Sequence, residues 1–126
     1  MRFSLIRRAD CIFCLILVLS VGCGKDSTPP KALAIEQTPA SLDEVFKTAS
    51  LEARKLVSEA VAALGSKDYT RALFALQSLS IRSDLTPQQR DIASRSMLAA
   101  NKALAEQAES GDQKAQQALQ FQRATK

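Results

Sequence analysis

The chain contains no histidine and no tryptophan. Lack of histidine removes the commonest general base and every metal site built on imidazole. Only carboxylates and lysines would then be at hand for proton transfer at neutral pH. Glycine and proline number four each in 126 residues, which is too few for a turn-rich all-β protein. Three of the four prolines, Pro29, Pro30 and Pro39, fall within one short stretch. The rest is ordinary for a globular chain, with 46% hydrophobic and 24% charged residues. The length allows one domain, and these features together predict a small helical one.

The cysteines sit at one end. Arg2, Arg7 and Arg8 precede an unbroken apolar run from Cys11 to Val21. A basic start followed by roughly 7–15 apolar residues is the pattern of a secretory leader. The run is far shorter than the about 20 residues of a bilayer-spanning helix. Cys11 and Cys14 would leave with the leader, so their C-x-x-C spacing is not read as redox or zinc chemistry. Loss of residues 1–22 would remove Arg2, Arg7, Arg8 and Asp10 and lower the formal net charge from +4 to +2. The remaining charges are mixed in sign, and no basic face for nucleic acid is expected.

Leu19-Ser20-Val21-Gly22-Cys23 resembles the lipobox of bacterial lipoproteins. Small residues, Ser20 and Gly22, flank the cut. The commonest form has leucine three residues before the cysteine, where this chain has Ser20. The resemblance covers the first 23 residues. It implies cleavage before Cys23, a diacylglyceryl group on its sulfur and acylation of the new N-terminus. Two or more acyl chains anchor a protein stably, at about 0.8 kcal/mol per buried CH₂. No further membrane-binding element is then needed. The residue after the cysteine is Gly24 rather than aspartate. By that resemblance the outer membrane, facing the periplasm, is favoured over the inner membrane.

Residues 23–40 are expected to form a flexible tether, Leu33 and Ile35 included, because no helical or alternating pattern survives its prolines. The helical domain is expected over 41–126. Ser41 and Glu44 read as a capping box. Apolar residues from Leu42 to Leu64 then keep one helical face, with Gly65 as the stop. Asp43 with Lys47 and Lys55 with Glu59 are expected i,i+4 pairs on the wet side. Asp68 caps a second helix lined by Tyr69, Ala72, Leu73, Leu76 and Leu79. Thr86, Pro87 and Gln89 open a third. Gly111 ends it, and Asp112 caps a short fourth.

Lys67-Asp68-Tyr69-Thr70-Arg71-Ala72, followed by Leu76 and Leu79, resembles the second helix of a tetratricopeptide repeat. Ala105 to Gln116 is similar to the related Sel-like repeats. The first match covers Val61 to Leu79. The 86 residues after the tether hold two hairpins, and solenoids need about three repeats. The expected fold is therefore an all-α bundle of tetratricopeptide-like antiparallel hairpins.

Motifs for chemistry are decoys. Gly22-Cys23-Gly24-Lys25 and Gly65-Ser66-Lys67 lack phosphate-loop spacing. No serine stands three residues before a lysine. Glu52 and Glu59 share a face, but it is the charged one. Tyr69 reads as core. Phe74 and Phe121 fall off their apolar stripes, and Phe74 is the candidate partner contact. No catalytic, metal or cofactor residue is assigned. The reading is a lipid-anchored, non-enzymatic protein-interaction module, bound to the membrane through Cys23 and to an envelope protein or to itself. The alternatives are a structural envelope spacer and a carboxylate-dependent hydrolase.

Overall fold

The computed structural model describes residues 28–125. They form five helices: α1 (Thr38–Val45), α2 (Leu51–Gly65), α3 (Tyr69–Ser80), α4 (Pro87–Glu109) and α5 (Gln113–Ala124). No strand occurs among the described residues. The fold is a small all-α bundle, as the apolar spacing predicts.

Contacts between helices follow a ring. α1 packs on α2, α2 on α3, α3 on α4, and α4 returns to α1. α5 lies outside the ring and packs on α4. The core is built from a few large residues, chiefly Phe46, Leu42, Leu76, Leu79 and Leu104, each nearly or wholly inaccessible. Alanines such as Ala53, Ala60, Ala72, Ala93 and Ala100 fill the space between them. Small side chains at crossing points let helix axes approach closely.

The first helical stretch departs from expectation in three ways. Helix α1 starts at Thr38, inside the expected tether, with Pro39 in its first turn, where a missing N–H costs nothing. Its N-cap is Gln37, without a side-chain cap, so Ser41 is not the expected cap. Wholly buried Thr38 instead donates its Oγ1 hydrogen bond to the Ala34 carbonyl at 3.0 Å. Finally, the helix does not run on to Gly65. It stops at Phe46, and Ser50 caps a new helix by accepting from the Ala53 N–H. One straight helix over this span would be roughly 37 Å long at about 1.5 Å per residue. The break lets α1 lie across both α2 and α4, with Leu42 and Phe46 fully in the core.

Residues before α1 are also held. Arg95 of α4 donates from Nε to the Lys31 carbonyl at 2.9 Å, and the Leu33 N–H donates to the Arg95 carbonyl at 3.4 Å. Ile35 packs against the core. Residues Lys31 to Gln37 are thus a strap on α4 rather than free tether. The cause is tertiary: the partner lies 64 residues further along the chain.

The later punctuation follows the sequence closely. Asp68 accepts from the Arg71 N–H, Asp112 from the Ala115 N–H, and Thr86 with Gln89 forms a complete capping box. The turn after α2 differs in register: Gly65 is the last helical residue, and Lys67, at φ 59°, takes the left-handed position. After α4 that position is Gly111, at φ 98°. Both turns share one hydrogen-bond scheme. Asp68 N–H reaches the Ala63 carbonyl and Lys67 N–H the Leu64 carbonyl; Asp112 N–H reaches Gln107 and Gly111 N–H reaches Ala108. This is the Schellman pattern. Gln107 of α4 ties the turns together by donating from Nε2 to the Lys67 carbonyl at 3.2 Å.

Candidate functional site

The residue assigned to lipid attachment, Cys23, lies outside the described residues, as does the whole leader. Among those described, no helix is long and apolar enough to cross a membrane.

Phe74 occupies the outer side of α3. The helix turns Ala72, Leu73, Ala75, Leu76 and Leu79 inward, and Phe74 is left 72% exposed. Ile81, seven residues on and so on nearly the same side of the helix, is 81% exposed. Gln77, three residues from Phe74, lines an open groove of about 420 Å³ together with Leu73, Met97, Asn101, Phe121, Gln122 and Thr125. Residues of three helices, α3, α4 and α5, line it, with Thr125 just past the end of α5. Phe121 is 71% exposed. No ionisable side chain lines the groove. Its surface consists of the apolar groups of Leu73, Met97 and Phe121 and the carboxamides of Gln77, Asn101 and Gln122. Such a surface offers hydrogen bonds to a peptide backbone and apolar contact to side chains, without selecting charge.

Phe74 and Phe121 thus both stay outside the core, as their positions off the apolar stripes predict. Tyr69 is half-buried and packs against the core, which agrees with its structural reading. Glu59 does not pair with Lys55. It receives a hydrogen bond from Arg71 Nε at 3.2 Å and so links α2 to α3. Lys47 pairs with Glu44 instead of Asp43. Neither expected i,i+4 pair forms: Lys47 and Glu59 each take another partner.

One polar cluster has no clear sequence signal. Arg82 grips Asp84 with two hydrogen bonds, Nε to Oδ1 at 2.9 Å and Nη2 to Oδ2 at 2.8 Å. Ser50 Oγ donates to Asp84 Oδ2 at 2.8 Å while also capping α2. The Arg82 and Ser50 hydrogen bonds hold the Asp84 carboxyl down to about 2, and the Asp84 bond raises Arg82. Arg90 donates to the carbonyls of Arg82, Ser83 and Leu85. The cluster clasps the α3–α4 loop to the start of α2. Every polar partner in it is already engaged within the fold, which is the arrangement of a structural clasp.

No family model, curated protein or solved structure matches this chain.

Proposed function

We propose that the protein is a lipid-anchored, non-enzymatic protein-interaction module of the bacterial envelope. The reading rests on Cys23 as the lipid site and on Phe74 as a contact residue beside the α3–α5 groove. The observation that carries it is the contrast in exposure on α3: Leu76 and Leu79 are at 0%, while Phe74 is at 72%. Large apolar groups left outside a packed domain mark contact surfaces. The hairpin of α2 and α3, joined by a three-residue turn, supports the resemblance to tetratricopeptide-like units, which commonly serve as binding scaffolds. The partner is another envelope protein or a second copy of the chain.

Phe74→Ser tests the reading. Crosslinking in intact envelopes should lose the adduct formed by the unaltered protein, while thermal unfolding of the purified variant moves little, within about 0.5 kcal/mol, as for an ordinary surface change. A large loss of stability would put Phe74 in the fold rather than in an interface. Labelled palmitate should enter the unaltered chain and not Cys23→Ser; equal labelling of both would remove the anchor.

A further inference from the structure

Phe74, Gln77 and Ile81 follow one another at helical spacing along the outer side of α3, so they are surface neighbours. Gln77 also lines the groove that Phe121 borders from α5. The exposed stripe of α3 and the groove are therefore one continuous patch, with Gln77 near its middle.

The patch is large enough for a stable contact. At about 200 Å² for a phenylalanine, Phe74 at 72% exposure and Phe121 at 71% offer about 290 Å² between them. The smallest specific interfaces bury about 500 Å² on each side, and about 57% of that, or about 285 Å², is apolar. The two phenylalanines meet that share alone, and Ile81, itself 81% exposed, adds to it.

The charges around the patch are already satisfied. Arg71 and Arg82, which flank the stripe, are held by Glu59 and Asp84 of the same chain. Neither the stripe nor the groove offers an unpaired charge. Unlike partners are sorted by opposite charges that face each other across the contact, and here there is none to match. The polar groups that remain in the groove are the carboxamides of Gln77, Asn101 and Gln122 and the hydroxyl of Thr125. Both kinds carry a donor and an acceptor, so each is its own complement. A carboxylate or an ammonium facing its own kind would repel; a carboxamide facing a carboxamide forms hydrogen bonds.

We propose that the patch is covered by a second copy of the chain, in an isologous dimer. Phe74 of each copy enters the groove of the other beside Phe121, and the two Gln77 side chains meet near the two-fold axis, since a residue at the middle of such a contact faces itself. The proposal rests on Phe74 as a contact residue and selects the second copy over a different envelope protein.

The test uses the full chain in intact envelopes, with the unaltered protein as the control for its own cysteines. On mild oxidation, Gln77→Cys should give a disulfide-linked dimer of twice the chain mass, because thiols beside a shared axis fall within the about 7 Å Cα separation that a disulfide permits. Lys102→Cys, beside the strap, should give no dimer above the control. Adding Phe74→Ser to Gln77→Cys should remove the dimer. Two differently tagged copies supply the second arm. Gln77→Glu in both, or Gln77→Lys in both, should cut capture of one copy by the other about tenfold or more, and Gln77→Glu together with Gln77→Lys should restore it. Absence of the Gln77→Cys dimer, or capture indifferent to both charges, overturns the proposal. In that event a Phe74-dependent adduct with another protein leaves Phe74 as a contact residue, whereas the lack of any Phe74-dependent adduct removes that reading as well.

Discussion

The α2–α3 and α4–α5 hairpins are closed by the same turn and begin their second helices with the same cap, yet they bury very different surfaces. α3 and α5 each have 12 residues and an aspartate N-cap. α3 buries Ala72, Leu73, Ala75, Leu76 and Leu79, whereas α5 buries Ala115 alone. α5 is rich in glutamine, with Gln113, Gln116, Gln117, Gln120 and Gln122. Local capping therefore specifies where both helices begin, and burial decides how firmly each is held. Isolated helices of this length are marginal in water, so α5 depends on what little of α4 it covers.

The largest expected effect places one charge in both helices. Leu76→Asp should abolish the helical circular dichroism signal of the domain. An unpaired buried charge costs several kcal/mol against a total stability of about 5–15 kcal/mol. Ala115→Asp should leave most of that signal, because only α5 detaches. Complete unfolding by Ala115→Asp would break the comparison and make α5 part of the ring.

Removing the caps sharpens the contrast. Asp68→Ala and Asp112→Ala each delete a cap worth about 0.5–2 kcal/mol. The first should lower the thermal midpoint of the whole domain. The second should speed hydrogen exchange at the Ala115 amide and leave that midpoint nearly unchanged. The two left-handed positions give a smaller effect of opposite sign. Lys67→Gly should stabilise the domain by up to about 1 kcal/mol, since a side chain in that conformation costs about 1–2 kcal/mol. Gly111→Lys should weaken α5 alone.

The smallest effect concerns the clasp, which belongs only to the ring. Asp84 titrates at about 2 in the folded protein and near 3.9 when unfolded. Its contribution is present above pH of about 4 and is lost as pH falls toward 2. Asp84→Asn should flatten that acid limb of the stability curve in urea unfolding. An unchanged limb would show that the Arg82 pair adds nothing.

The chain announces its later half well. Asp68, the Thr86–Gln89 box, Gly111 and Asp112 each act within one turn of themselves, so short-range chemistry is enough to place them. The break between Phe46 and Ser50 is hidden because the apolar spacing runs straight through Val45, Phe46 and Ala49. Phe46 is buried within the ring at that break, and the one local mark of it is Ser50, the N-cap of α2. Gly65 is a plausible stop, but Asp68 must begin α3, and the turn that reaches it puts Lys67 in the left-handed position. Among the surface residues, Phe74 is legible because it falls off its stripe. The groove beside it is not, since its lining comes from three helices. Arg95 gives no sign of its role because what it binds is the backbone of Lys31, which could belong to any residue.

The closure of the ring fixes an order of events. Gln89 donates from Nε2 to the Val45 carbonyl across 44 residues, and Arg95 to Lys31 across 64. Contacts so distant along the chain form late, after local hairpins have paid the entropy of closing the loop. α2 and α3 can pair as neighbours at once. α1 can pack on α2 at that stage, but the strap, made first on the ribosome, has no partner until Arg95 of α4 exists. The first residues of the domain to be made are thus the last to gain their full set of contacts, and the ring closes only when α4 is in place.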